Sequence, residues 1–171
     1  MFTAKRIREL FKKLNTELAK LNAKGEIGLC GGAVMCLVFK TREATKDVDA
    51  IFEPTREIRE AARRVAADNA LPEDWLNDAA KGFFLTDPPR QLVLDFPHLR
   101  VWAPSADYML AMKCISARFD TFDRDDVIFL IKHLELKRAG DVFRIIEKYY
   151  PRKTIPPKTE YFIEEVFEKL L

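Results

Sequence analysis

Gly28-Leu29-Cys30-Gly31-Gly32-Ala33-Val34 and, shortly after it, Arg42-Glu43-Ala44-Thr45-Lys46-Asp47-Val48-Asp49-Ala50-Ile51-Phe52 are the stretches whose reading decides the fold. The first reads as a strand that turns through a glycine pair into a helix. The second reads as a strand with two acids on one face. Side chains alternate along a strand, so Asp47 and Asp49 share a face while Val48, Ala50 and Phe52 turn to a core on the other. Two residues along a strand is about 6.5–7 Å. Two unpaired carboxylates that close, beside a hydrophobic core, repel and resist ionisation. A divalent cation resolves the conflict, and Mg²⁺ takes one or two protein carboxylates with water and phosphate in its other positions. Gly31-Gly32 lets the backbone approach a phosphate, and the start of the following helix favours an anion.

In this order, Gly31-Gly32-x-Ala or Val and then Arg42-x-x-Thr45-x-Asp47-Val48-Asp49 resembles the nucleotidyltransferase superfamily. Within it the chain looks like the minimal nucleotidyltransferases of the AbiEii toxin type and their bacterial and archaeal relatives. The resemblance implies an α+β fold: a mixed β-sheet with flanking helices and a helical C-terminal half. Residues 1–103 would form the α+β core, with a helical part, 104–171, packed on it as one unit. It implies that Gly31 and Gly32 hold nucleotide phosphates and that Asp47 and Asp49 bind Mg²⁺ (or Mn²⁺) for nucleotidyl transfer. Arg42 and Thr45 fall where the family has active-site residues; Arg42 is either a triphosphate partner or a surface charge. The implied partners are a nucleoside triphosphate and an acceptor, which is an RNA end such as that of a transfer RNA, or a protein hydroxyl. An antitoxin partner follows if the chain is half of a two-gene pair.

The resemblance extends to a later helix. Its pattern places a lysine in a context like Tyr108-Met109-Leu110-Ala111-Met112-Lys113, followed by an arginine, here Arg118, and by D-x-x-D, here Asp123-Arg124-Asp125-Asp126. In the family that lysine binds phosphate, a role that falls to Lys113. Asp123 and Asp126 are equally well read as site residues or as acids at a helix start. Asp126 also borders the apolar stripe of Val127, Leu130, Ile131 and Leu134, where an acid needs a partner such as Lys113 or Arg118. Many relatives carry a third carboxylate on a later strand. Asp95 is the only acid in the strands read at 91–96 and 99–102, and is the candidate by elimination. The smaller families often lack a clear third acid; its absence would favour a second reading, a catalytically reduced module that binds nucleotide or a protein partner.

The rest of the chain sets the frame. A length of 171 residues suits one domain, or one with a helical extension. Lys and Arg number 29 against 27 Asp and Glu, so no global charge draws the chain to nucleic acid. Cys30, Cys36 and Cys114 stand in apolar surroundings without C-x-x-C spacing, which reads as reduced core thiols in a cytoplasmic protein. No apolar run approaches the ~20 residues of a membrane helix, so no membrane partner is expected. Residues 3–23 have apolar residues at helical spacing behind a Thr3 cap. Lys5, Arg6, Arg8, Lys12, Lys13 and Lys20 cover that helix's other surface, as a solvated face or an RNA-contacting one. A helix begins at Pro54-Thr55, Trp75 in the following loop reads as a core plug rather than a residue flanking the site, the other reading it allows, and 82–85 reads as a strand. From about 104 onward the chain is helical.

Overall fold

A computed structural model of the chain describes residues 1–116 and 121–170. It has a mixed α+β architecture whose C-terminal half is helical. Contacts divide the chain into two compact units: Met1–Gly82 with Arg90–Pro104, and Phe83–Pro89 with Ser105–Leu171. Among the described residues no helix is long and apolar enough to cross a membrane.

The first unit starts with a short strand, β1 (Phe2–Thr3), and the Thr3 hydroxyl caps helix α1 (Ala4–Lys20) by accepting the Arg6 N–H at 3.2 Å. Strand β2 (Gly25–Leu29) leads into a single α-turn, α2 (Gly31–Val34), which widens into a π-helical turn at Met35–Phe39. Strands β3 (Ala44–Thr45) and β4 (Val48–Glu53) follow, then helix α3 (Thr55–Asp68) and strand β5 (Leu76–Asn77). Strands β6 (Arg90–Phe96) and β7 (Leu99–Pro104) form a hairpin.

The sheet order is β5-β4-β2-β7-β6, with β2 antiparallel to β4 and parallel to β7. Ile27, Leu29, Val48, Ala50, Leu99 and Val101 are buried, as period-2 alternation requires of an inner face. Helices α1 and α3 pack together on that side: a Cβ placed on Gly25 would meet Leu18 of α1 and Ile58 of α3. Trp75 plugs the space beneath, its indole N–H donating to the Ala62 carbonyl at 3.1 Å and its ring lying 6.3 and 6.2 Å from Phe2 and Phe11. On the opposite face Trp102 lies flat over Gly28, leaving no room for any side chain there.

Three local expectations change. The helix expected after the glycine pair is one α-turn plus a π-turn. Residues 71–77, read as a loop, end in β5, which pairs parallel with Val48 and Asp49. The strand expected at 82–85 is absent, and Ala79–Phe83 forms a 3₁₀ turn instead. The carbonyls of Phe83 and Thr86 are taken by the hydroxyls of Tyr150 and Tyr108, at 2.6 and 3.0 Å, so this backbone finds side-chain donors rather than a strand partner.

The second unit is built on α4 (Ala106–Ser116), followed by α5 (Thr121–His133), α6 (Ala139–Tyr149) and α7 (Pro157–Leu170). Helix α4 is buried from Tyr108 through Cys114, as a helix apolar on all sides must be. The buried Thr159 hydroxyl ties α7 to it by donating to the Cys114 carbonyl at 3.2 Å. Burial alone would raise the Asp107 carboxyl at the start of α4. Hydrogen bonds from Ser105, from the Tyr149 hydroxyl (2.6 Å), from Lys148 (3.3 Å) and from the Tyr108 N–H (2.9 Å) outweigh it and hold Asp107 below the ordinary carboxylate value.

The depressed folded value means that ionised Asp107 stabilises the fold fully above the unfolded carboxylate pKa of about 3.9, and that this stabilisation is lost as pH falls through the folded value. Asp107→Asn is therefore expected to melt at a lower temperature than the wild type at pH 7. The gap should close as both are titrated below about pH 4. A gap that stayed constant down to the acid limit would show that the charge on Asp107 contributes nothing.

Candidate functional site

The site is built around the end of β2. The Cys30 N–H donates to the Asp49 carbonyl at 2.9 Å, extending the β2–β4 ladder one rung past the Leu29–Ala50 pair. Directly beyond that rung the chain turns. Gly31 has φ +60°, the left-handed region in which a side chain is strained. A Cβ there would also stand 3.0 Å from Asp49 Oδ2. At Gly32 a Cβ would collide with Thr45 Oγ1 and lie 3.3 Å from Arg42 Nη1. Glycine is favoured at both positions, and the pair gathers Asp49, Thr45 and Arg42, all five being residues the sequence singles out. Thr45 is buried and fixed through β3, since the pairing of Phe2 with Thr45 and of Thr3 with Ala44 clips the chain's first residues to it.

The two acids differ more than a shared strand would suggest. Asp49 is half-buried on β4, whereas Asp47 is exposed in a bend just ahead of the strand. Val48, Ala50 and Phe52 are buried as expected. Hard carboxylate oxygens at the glycine turn suit Mg²⁺ or Mn²⁺ rather than a soft-ligand metal. Among the described residues no group of three His, Cys, Asp or Glu is disposed to hold a metal. Asp47 and Asp49 are the two carboxylates that could hold such an ion, with water and phosphate as its remaining ligands.

Asp95 does not extend that pair. It pairs with Arg100 across β6–β7, Arg100 is level with Glu26 of β2, and Glu26 is level with Glu53 of β4. Asp95 thus lies three strand spacings across the sheet and four residues along it from Asp49. That is roughly 14 Å in one direction and 13 Å in the other. Its neighbour is the Arg100 guanidinium at 3.7 Å, with both side chains exposed. Being the only acid in these strands pointed to Asp95, but composition carries no register.

Lys113, Asp123 and Asp126 are brought together within the second unit. The Lys113 ammonium lies 2.7 Å from Asp126 Oδ2 and 2.9 Å from Asp123 Oδ1. Lys113 and Asp126 are only 6% and 2% exposed, so both charges depend on each other for solvation. Asp123 lies in the first turn of α5, which starts at Thr121, and not at its cap. The partner expected for Asp126 is thus Lys113; Arg118 lies outside the described residues. Next to Lys113 on α4, the Cys114 thiol is pushed up to about 12 by burial, and Cys30 and Cys36 are buried too, so all three are core thiols. Sequence spacing gave no reason to single out Lys40, whose left-handed backbone (φ +56°) closes the π-turn two residues before Arg42.

No family model, curated protein or solved structure matches the chain.

Two stability outcomes follow from this geometry. Gly31→Ala should cost about 1–2 kcal/mol from the left-handed backbone alone, read by denaturant unfolding. Lys113→Met should cost about 3–5 kcal/mol, because it removes the cation paired with a buried carboxylate. A Lys113→Met protein as stable as wild type would mean that Asp126 is neutralised or hydrated without it.

Proposed function

We propose that the chain is a metal-dependent nucleotidyltransferase that moves a nucleoside monophosphate from a nucleoside triphosphate onto an acceptor hydroxyl, at an RNA end or on a protein. The observation that carries this reading is the convergence at one turn of left-handed Gly31 and of Gly32, where a Cβ would collide with Thr45, with Asp49, Thr45 and Arg42. A turn stripped of side chains beside a carboxylate and a guanidinium suits a phosphate chain that must approach backbone closely.

In this reading Asp47 and Asp49 hold Mg²⁺ or Mn²⁺, which when bound neutralises phosphate charge and polarises the reacting phosphorus. The glycine turn admits the phosphates, Arg42 offsets their charge, and the Thr45 hydroxyl lines the turn. The acceptor oxygen forms a bond to the α-phosphorus in line with the breaking bond to pyrophosphate, which leaves with its electron pair while the acceptor proton passes to solvent. Lys113, already engaged by two carboxylates, is assigned the task of fixing α5 to α4 rather than a phosphate contact. The remoteness of Asp95 favours one second reading: a catalytically reduced module that binds nucleotide, or a protein partner, without turning nucleotide over.

The deciding experiment supplies each α-labelled nucleoside triphosphate with Mg²⁺, total RNA and lysate protein. The wild type is expected to transfer label. Asp49→Asn should transfer about 10²-fold less or lower, matching the loss of several kcal/mol of charge stabilisation, with unchanged melting. Undiminished transfer by Asp49→Asn would overturn the site assignment. Nucleotide binding without any transfer would establish the second reading.

A further inference from the structure

A surface cavity of about 430 Å³ opens beside the glycine turn. Ala4 and Leu37 give it an apolar floor, and Arg8, Lys40 and Arg42 line it against a single acid, Glu43. Arg42 belongs both to this cavity and to the turn, since its guanidinium reaches Gly32. The cavity therefore adjoins the turn. Its volume is that of a small-molecule pocket, larger than one phosphate requires.

The cations continue outside the cavity. On α1, Lys5, Arg8 and Lys12 are spaced three and four residues apart and so form one stripe. At 1.5 Å per residue the stripe is about 10 Å long. All three, and Lys40, are exposed. Several other cations of the same helical layer are committed, Arg6 to Glu9, Lys20 to Glu17, Arg59 to Asp78 and Arg64 to Glu60, while Arg56 and Arg63 of α3 lie exposed outside the cavity lining. Among the described residues no carboxylate pairs with Lys5, Arg8, Lys12 or Lys40. These four cations thus form a line that runs into the cavity next to the turn.

Resting on the transferase reading, we propose that this stripe and cavity are the acceptor track: they hold the phosphate backbone of a single-stranded nucleic acid whose 3′ end enters the cavity toward the glycine turn. A line of separated cations suits several phosphates in succession better than one anion, and the apolar floor gives a base or sugar something to lie against. A protein acceptor would need no such line.

The test measures binding of a short fluorescent single-stranded RNA to the full chain between about 50 and 200 mM KCl, apart from any turnover. Four contacts predict a slope of log K against log salt near −2.8, at about −0.7 per phosphate contact. Arg8→Gln/Lys40→Gln should flatten the slope by about 1.4, for two lost contacts, and weaken binding about tenfold near physiological salt. Arg56→Gln/Arg63→Gln on α3 removes the same charge from another exposed stripe and should bind as wild type. No RNA binding, equal loss in both double variants, or an acidic peptide that binds more tightly than RNA would each overturn the proposal, the last in favour of a protein acceptor. Asp49→Asn should bind RNA as wild type. If it does, and no nucleotide is ever consumed, the transferase reading fails while the track stands. If RNA is labelled normally by Arg8→Gln/Lys40→Gln, the track fails and the transferase reading stands.

Discussion

The first unit depends on one rung of its sheet, the hydrogen bond from the Cys30 N–H to the Asp49 carbonyl. It fixes where β2 stops relative to β4, and so which side chain meets the glycine turn. One such bond contributes only about 1 kcal/mol net, too little to hold a geometry alone. The register comes from burial on either side of it: Ile27 and Leu29 on one strand, Val48 and Ala50 on the other, each essentially inaccessible to water. A slip of one residue would turn Val48 and Ala50 outward and Asp49 inward, so the hydrophobic pattern and the acid's position are the same constraint. The surrounding elements protect that register. Trp75 fills the space beneath it, α1 and α3 cover the inner face, and the β1–β3 clip holds Thr45 against Gly32.

The same register limits what chemistry the sheet can offer. On β7, the neighbour of β2, Trp102 stands level with Gly28 and fills the room above it. Beyond it β7 continues only through Ala103 and Pro104, so this strand carries no acid toward the turn. The Arg90 guanidinium lies 4.3 Å over the same ring while pairing with Glu26 at 2.7 Å, so this side of the sheet is closed by a stacked aromatic and an ion pair. The acids on the other side of β2 are Asp49, half-buried on β4, and Asp47, exposed just ahead of that strand.

What could be read from the sequence was what local physics encodes. The Thr3 cap, the alternation of Val48, Ala50 and Phe52, and the glycine pair each leave a signature within a few residues. The two-residue strands β1, β3 and β5 are defined by distant partners and have no length over which a period shows. The π-turn at Met35–Phe39 carries the same apolar residues a regular α-helix would. The strand expected at 82–85 gave way to two tyrosine hydroxyls contributed from α4 and from the end of α6. Lys113 stood out as a lone charge in an apolar helix, but only the packing of α4 with α5 shows that its partners are Asp123 and Asp126.

Charge shows the same contrast between sum and arrangement. Over the whole chain 29 basic residues nearly cancel 27 acidic ones, which argues against a polyanion partner if charge acts only as a total. Exposed charges separated by more than about 8–10 Å are largely screened from one another in physiological salt, so a ligand senses what is uncompensated nearby. Arg6, Lys20, Arg59 and Arg64 are cancelled locally by carboxylates. Lys5, Arg8, Lys12 and Lys40 are not, and their placement puts a line of uncancelled charge on one flank of α1 and beside the cavity at the turn. A near-neutral chain can therefore carry a cationic line, provided that its ion pairs are spent elsewhere.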